Sequence, residues 1–400
     1  MKTFVSAAAM LIASSVLAQA EISGGVVKIG VLTDLTGPYS DFSGPTSVDA
    51  AKMAVEDFKG GKNGLKVEVL SFDHQNKADN ATTMARRWFD VEGVDAIADM
   101  TNSSAALAVN GLAKEKGKVT LMTGPATTAL TNDGCSPYGF HWGWDTYSQS
   151  VGAASALVKQ GRDSWYLLTA DYAFGHQMAA SMTDTVKANN GKIVGEARHP
   201  LNTMDFSSFL VGAQASGAKV IGLANGGADT VNAVKQAGEF GVTQGGQTLA
   251  ALVTVISDIH ALGLKTAQGL VGTTSFYHDR DDASRAFSKR FFERNKRMPG
   301  MIQAATYSSV LHYLKSVDAA NSDDGATVAK TMRETPVQDF FAVNAKIRPD
   351  GRMVTDMYLF EVKKPEESKA AWDYYKILAT IPADQTAAPI EKSTCAHVKK

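Results

Sequence analysis

The feature of the sequence that most constrains the fold is a repeated alternation between short β-branched runs and longer segments with helical periodicity. Residues 26–32 have the composition of a buried strand, and residues 48–58 follow with apolar side chains at helical spacing. Strands that alternate with helices at this pitch pair in parallel through right-handed crossovers. The sequence therefore predicts an α/β fold with parallel sheets covered by helices on both faces.

The alternation occurs in two series, which indicates two domains. The first series contains predicted strands at 26–32, 65–72, 94–98 and 119–122. After a turn-rich loop around Cys135, the second series begins with a helix at 148–159 and a strand at 164–169. A chain of 400 residues is long enough for two cores, so we expect two doubly wound lobes, each with its own parallel sheet.

The N-terminus has the pattern of an export signal. Lys2 precedes an apolar, uncharged run at 4–17, and Ala18-Gln19-Ala20 is a small-x-small cleavage site. A membrane anchor is the alternative, but the run is too short to span a bilayer comfortably, and no later run is long and apolar enough. We therefore expect cleavage after Ala20 and a mature protein in the periplasm.

The balance of charges and the number of cysteines limit which ligands and cross-links the chain can have. Lys and Arg number 40 against 41 Asp and Glu, so no overall field attracts nucleic acid. The two cysteines, Cys135 and Cys395, would pair in an oxidising compartment and tie down the C-terminal tail, although two free thiols are the alternative. Because no CxxC or HExxH spacing occurs and the histidines are scattered, we predict no metal site and no cofactor.

Candidate site residues lie where predicted strands end, because ligands of doubly wound sheets sit outside the carboxyl ends of the strands. The segments concerned are 33–40, 99–104 and 123–128, which are rich in hydroxyl side chains. Hydroxyls and free backbone N–H groups at helix starts can hold a carboxylate, although each taken singly could be an ordinary helix cap. Their recurrence at neighbouring strand ends favours a carboxylate site.

These segments, taken in chain order, carry a resemblance to a known family. Residues 29–39, Asn102-Ser103-Ser104, Ala126-Thr127 and 171–175 are similar to the type I periplasmic binding proteins of the leucine/isoleucine/valine-binding kind. The resemblance covers nearly the whole mature chain. It implies two lobes joined by three crossovers, a ligand in the cleft between them, closure on binding, and delivery to an ABC permease in the membrane.

The resemblance also implies that each lobe is discontinuous in sequence. The first lobe would contain residues 21–142 and 278–336, and the second lobe residues 143–277 and 337–381, which leaves 382–400 as a C-terminal tail. The segment 140–147, with its two tryptophans, falls at the first crossover. We expect it to pack a hinge, with the floor of the cleft as the alternative.

The resemblance places the ligand among residues from both lobes. Asn102, Ser103 and Ser104, with Ala126 and Thr127, would hold the ligand carboxylate. Around the rest of the ligand we expect aromatic side chains and a strand end that is unusually open, although core packing is the alternative for each aromatic. The aromatic side chains are Phe42, Tyr172, Phe174 and Tyr277, and the open strand end is Asn225-Gly226.

One departure from the family affects specificity. Amino-acid binders hold the ligand ammonium with an acidic side chain near 251–253, but residues 246–257 contain no aligned carboxylate. A buried ammonium without a counter-charge costs several kcal/mol, on the order of 3–5. We therefore expect the ligand to be a small carboxylate that lacks an amine. An aromatic acid should fit better than an aliphatic one, because Gly226 and Gly227 leave room for a ring. A branched-chain amino acid is the alternative, with Asp171 or Asp258 then supplying the charge.

Other classes of protein fit the sequence less well. The chain lacks GxSxG, GxxxxGK[ST] and a GxGxxG after the first strand, so we expect no enzymatic activity. A sensory ligand-binding module would share the same fold and stays open as an alternative. We expect a monomer whose partners are a small carboxylate and a membrane permease.

Overall fold

The computed structural model of the protein describes residues 22–398, so the predicted export signal lies outside the described residues. Two sheets and a short hairpin are built from strands β1 (Val26–Thr33), β2 (Lys66–Asp73), β3 (Ala96–Asp99), β4 (Val119–Met122), β5 (Gly139–Trp142), β6 (Ser164–Ala170), β7 (Lys192–His199), β8 (Val220–Ala224), β9 (Thr248–Ala251), β10 (Val271–Thr274), β11 (Val337–Gln338), β12 (Val343–Ala345), β13 (Arg352–Met353), β14 (Met357–Val362) and β15 (Tyr375–Ile381).

The α-helices separate these strands in the alternation that the sequence predicts. They are α1 (Gly44–Phe58), α2 (Ala78–Arg87), α3 (Ser103–Lys116), α4 (Thr146–Lys159), α5 (Ala173–Ala188), α6 (Ser207–Ala215), α7 (Ala228–Glu239), α8 (Ile256–Leu262), α9 (Leu264–Ala267), α10 (Asp282–Asn295), α11 (Met301–Ala320) and α12 (Gly325–Glu334). None of the helices between Ile22 and Val398 is both long and apolar enough to cross a membrane.

The first sheet has six parallel strands in the order β13-β5-β4-β3-β1-β2. All side chains of β3 and β4 are buried, as expected for central strands covered on both faces. Helices α1 and α11 pack on each other, and α11 also contacts β3, β4 and β5. The core on this face of the first sheet therefore lies between the strands and two helices, α1 and α11, that are far apart in the sequence.

The second sheet has seven strands in the order β15-β14-β10-β9-β8-β6-β7. Strands β6 to β10 pair in parallel, whereas β14 and β15 add an antiparallel edge. The chain passes between the sheets after β5, after β10, and between β13 and β14. The prediction of two parallel-sheet lobes joined by three crossovers is confirmed.

Two features of the crossovers differ from the sequence predictions. Residues 139–142 form β5 within the first sheet, inside the predicted first-lobe segment 21–142, but Trp142 packs in the core of that lobe rather than at a hinge, and its indole N–H donates to Ser308 Oγ at 3.1 Å. Strand β13 lies beside β5, with Arg352 in register with His141, although residues 337–381 were expected to belong to the second lobe. The other lobe boundaries stay a prediction.

Arg352 explains why so short a strand is stable in the first sheet. Its buried guanidinium lies 3.1 Å from Asp145 Oδ2, and its Nη1 donates to the carbonyl oxygen of His141 at 3.3 Å. Asp145 also caps α4 by accepting from Ser148 N at 2.8 Å. One buried ion pair therefore joins the first and third crossovers.

Candidate functional site

A small cavity lies where the two sheets face each other. Every residue that lines it follows the carboxyl end of a strand, namely β1, β3, β4 or β5 in the first lobe and β6, β8 or β9 in the second. This is the place where α/β sheets bind ligands. The lining residues are Tyr39, Phe42, Thr101, Ser103, Gly124, Ala126, Trp144, Tyr172, Phe174, Gly226 and Val253.

Direct contacts between the lobes close the cavity. The hydroxyl oxygens of Tyr39 and Tyr172 are 2.5 Å apart, and Ala228 N–H donates to Pro38 O at 3.2 Å. Further along the rim, Ser257 Oγ donates to the carbonyl oxygen of Asp41 at 3.1 Å. The structure is therefore a closed conformation, and a ligand inside it would be shielded from water.

Gly227 is required at this contact. Its φ of 58° and ψ of −134° form a backbone conformation that is almost restricted to glycine. A Cβ at this position would lie 2.7 Å from Pro38 O and 2.8 Å from Tyr39 Cδ1, across the gap between the lobes. The absence of a side chain here lets the two backbones approach.

One end of the cavity presents hydrogen-bond donors. Helix α3 begins at Ser103 because Asn102 Oδ1 caps it by accepting from Ala105 N at 2.9 Å. The backbone N–H groups of Ala126 and Thr127 both point at Ser103 Oγ, each at a long 3.4 Å. Two N–H groups and a hydroxyl at a helix N-terminus can hold a carboxylate, and the helix dipole adds to the attraction.

Behind this end lies a buried carboxyl group, Asp99, which has a left-handed φ of 73°. The Thr101 hydroxyl lies 3.3 Å from Asp99 Oδ1, where it can donate, while Thr101 also contacts the hydroxyl of Ser43. Burial raises the pKa of Asp99 to about 6, against the lowering effect of the neighbouring hydroxyls. A Cβ on Gly124 would lie 2.3 Å from Asp99 Oδ1, so glycine is needed there as well.

The rest of the cavity wall is aromatic and apolar. Phe42 and Trp144 have ring centroids 5.9 Å apart, and those of Tyr172 and Phe174 are 5.7 Å apart. The Trp144 indole N–H donates to Thr123 O at 2.8 Å, which fixes the plane of that ring. Aromatic walls with a few placed polar groups suit a flat apolar ligand body.

No carboxylate lines the cavity among the described residues. Asp171, one alternative counter-charge, is exposed and pairs with His176 at 2.7 Å. Asp258, the other, accepts from Val255 N at 3.0 Å at the start of α8, and burial raises its pKa to about 7. Neither lines the cavity, so the described part of the chain offers donors for an acid at this site and no acidic side chain for an ammonium group.

Six of the predicted site residues line the cavity and five do not. The six are Phe42, Ser103, Ala126, Tyr172, Phe174 and Gly226. Ser104 lies one position further along α3 than the lining residue Ser103, outside the lining. Asn102 uses its side chain to cap α3, and Thr127 turns its hydroxyl to Ala129 N at 3.3 Å, so that only its backbone N–H faces the anchor.

Asn225 and Tyr277 are held elsewhere by their own partners. Asn225 lies 3.1 Å from His199 Nε2 and accepts from Thr230 Oγ1 at 2.7 Å, which satisfies its amide inside the second lobe. Tyr277 packs against Tyr375, with ring centroids 5.3 Å apart, in the apolar cluster of the second sheet. The prediction that these two side chains contact a ligand is not supported by their placement.

Sequence reasoning missed five lining residues, namely Tyr39, Thr101, Gly124, Trp144 and Val253. Each lies within a few residues of a strand end, which is the signal that could have found them. Trp144 was expected to pack a hinge, but its ring lines the floor of the cleft.

Two α/β lobes that are joined by three crossovers and meet over a cavity at their strand ends define a two-lobed solute-binding protein of type I architecture. A profile of the family described as "Periplasmic binding protein" matches residues 26–369. The chain therefore belongs to the periplasmic binding protein family, whose members are binding proteins rather than enzymes.

Solved structures with similar folds fall into two identity ranges. A periplasmic binding protein from Burkholderia mallei is 50% identical, with a TM-score of 0.92 over 94% of this chain and 100% of that chain. A protein from Burkholderia xenovorans LB400, described as a branched chain amino acid ABC transporter periplasmic ligand-binding protein, is 40% identical, with a TM-score of 0.84 over 93% and 100%. A solute-binding protein from R. palustris in complex with benzoate shares the fold at 18% identity, with a TM-score of 0.82 over 93% and 100%.

Curated relatives match a shorter stretch. Leu/Ile/Val-binding protein homolog 8 of Brucella abortus is 26% identical over 225 residues, or 54% of this chain and 55% of that protein. The matched part thus spans about half the length of the curated relatives.

Proposed function

We propose that the protein is the exported solute-binding component of an ABC importer and that it captures a small aromatic carboxylate without an amine. The observation that carries this proposal is the charge asymmetry of the cavity. Ser103, Ala126 and Thr127 form a candidate carboxylate anchor, and no acidic side chain of residues 22–398 lies in the lining. An amino acid in this site would bury its ammonium group without a counter-charge.

The aromatic lining of the cavity supports a ring as the ligand body. The rings of Phe42, Trp144 and Phe174 are part of this lining. The benzoate complex of the R. palustris protein is consistent with this class of ligand on the same fold.

Binding would proceed in two steps. The first lobe holds the carboxylate through the anchor at the start of α3, and the second lobe then closes with Tyr172 and Phe174 over the ring. Closure joins Tyr39 to Tyr172 and creates a composite surface of both lobes that a permease can recognise. The predicted export signal at residues 1–20 would deliver the protein, as a monomer, to the periplasm.

A branched-chain amino acid is the second candidate ligand. It is favoured by the 40% identical Burkholderia xenovorans protein, whose description names a branched chain amino acid transporter. In this chain such a ligand would have to leave its ammonium group hydrogen-bonded to hydroxyls or backbone carbonyl groups alone.

Isothermal titration calorimetry decides between the two candidates. We expect heat of binding with benzoate or 4-hydroxybenzoate and none with leucine or valine. Benzamide, a neutral analogue of benzoate, should bind at least tenfold more weakly, and Ser103→Ala should weaken benzoate binding more than benzamide binding. Tight binding of leucine without measurable binding of any aromatic acid would refute the proposed ligand class.

A further inference from the structure

The C-terminal tail, defined here as residues 382–398, connects the two lobes a fourth time. It leaves β15 at the edge of the second sheet, and Ala383 N donates to Asp356 Oδ1 at 2.9 Å. Arg348 Nη1 then donates to Ala388 O at 2.7 Å. Because residues 348 and 356 lie on either side of β13, the tail runs beside the third crossover from the second lobe to the first.

The tail ends on one short segment of the first lobe. Ser393 Oγ donates to Thr131 O at 3.3 Å, and Thr394 N donates to Asn132 Oδ1 at 3.1 Å. Cys395 forms a disulfide with Cys135, and both cysteines are buried. Three different interactions therefore hold the tail against residues 131–135.

That segment continues directly from the carboxylate anchor. A 3-10 turn, Thr128–Thr131, begins immediately after Thr127, whose hydroxyl caps it by accepting from Ala129 N. Within the same loop, Cys135 N donates to Asn132 O at 2.9 Å. On the other side of the anchor, Thr146 N donates to Ala126 O at 2.8 Å. The two anchor N–H groups thus lie between one fixed point at α4 and another that the tail provides.

We propose that the disulfide-closed tail is a positioning element for the carboxylate anchor. By holding residues 131–135, it keeps the 3-10 turn in place and with it the direction of the Ala126 and Thr127 N–H groups. Cys135, Ser393 and Cys395 act through the turn and touch no ligand. Hydrogen-bond donors that are already oriented toward a charged group bind that group more tightly than donors that must first become ordered.

Amide hydrogen exchange tests this inference without any ligand. The comparison is between the oxidised protein, the Cys135→Ala/Cys395→Ala double variant, and Ser393→Ala. The last variant keeps the disulfide and removes the two hydrogen bonds of the Ser393 hydroxyl, one to Thr131 O and one from Cys395 N. We expect amides of residues 123–134 to exchange at least about fivefold faster in the double variant and by a smaller factor in Ser393→Ala, because local opening of the turn becomes easier. Amides of β7, in the second lobe, should be unchanged.

The controls distinguish local ordering from general stability. If the double variant fails to fold, mild reduction of the folded wild-type protein replaces it in the comparison. Unchanged exchange at 123–134 would overturn the inference, and so would an equal acceleration at β7, because the tail would then stabilise the chain as a whole.

The effect on binding rests on the proposed function and is measured separately. With benzoate as the probe, loss of the disulfide should raise Kd about tenfold, while the Kd for benzamide should change less than threefold. Equal losses for both probes, or no loss for benzoate, would overturn the positioning role. If the wild-type protein binds neither probe, the proposed function fails, and the exchange experiment alone decides whether the tail orders the turn.

Discussion

Replacement of Gly227 by alanine should weaken ligand binding by obstructing closure of the lobes. The new Cβ would lie 2.7 Å from Pro38 O, closer than real Cβ atoms approach a backbone oxygen, and the contact belongs to the other lobe. Overpacking of a tight contact costs about 1–3 kcal/mol. Because this contact exists only when the lobes meet, a cost of about 2 kcal/mol falls on the closed form and raises Kd roughly thirtyfold.

The backbone strain of alanine at positive φ needs its own control. Gly241 has a φ of 66° and lies in a loop of the second lobe, where the nearest atom to a new Cβ would be Gln244 Oε1 at 3.8 Å. Gly241→Ala should therefore lower stability without affecting closure. Calorimetric titration with benzoate and the radius of gyration from small-angle X-ray scattering at saturating benzoate measure the two effects.

We expect Gly227→Ala to bind more weakly and to remain more expanded at saturation, while Gly241→Ala matches the wild type in both. Wild-type affinity in Gly227→Ala would refute the role of this glycine in closure. An equal loss of affinity in the two variants would attribute the effect to backbone strain instead.

Three further substitutions test the buried charges and the cavity. The raised pKa of Asp99 favours the protonated carboxyl group in the folded protein, so the contribution of that proton to stability is full below pH 3.8 and is lost as pH rises through about 6. From pH 4.5 to 7 the wild type should lose about 2 kcal/mol of unfolding free energy relative to Asp99→Asn, measured by urea unfolding. Parallel pH profiles of the two proteins would contradict this. Asp145→Asn should destabilise the protein by about 3–5 kcal/mol in urea unfolding, because it leaves the Arg352 guanidinium buried without a counter-charge, whereas Glu334→Gln, at an exposed pair with Lys330, should change stability by less than about 1 kcal/mol. Val253→Asp places a carboxylate in the cavity wall and should abolish benzoate binding in calorimetric titrations; retained affinity would show that Val253 lies away from the ligand.

The central strands could be predicted because burial on both faces leaves a clear apolar signal. Strand β4 has the predicted bounds, and β1 begins at the predicted residue, Val26. Strand β5 was missed because Gly139–Trp142 lacks β-branched residues and its burial depends on β4 and β13, which are distant in sequence. Strand β13 was missed because a two-residue strand that contains a buried arginine has no local pattern.

The site was predicted at the level of loops and only partly at the level of side chains. Parallel topology alone places strand ends at one edge, so the loops that carry Ser103, Ala126 and Phe174 could be located from the order of strands. Side-chain direction depends on tertiary partners that the sequence does not reveal. Tyr39 and Tyr277 both follow strand ends, but Tyr39 points to Tyr172 across the cleft, whereas Tyr277 packs onto the second sheet.

The distribution of interactions over the two lobes separates recognition from closure. The groups that we propose to recognise a carboxylate, Ser103 with the N–H groups of Ala126 and Thr127, all belong to the first lobe. The contacts that close the mouth outside the lining, Pro38 with Ala228 and Asp41 with Ser257, involve only protein atoms, so their energy does not depend on which acid is bound. Differences in affinity among acids that fit the closed cavity should therefore arise at the anchor and the aromatic wall, while substitutions at the mouth should shift the affinities of such acids by a common factor.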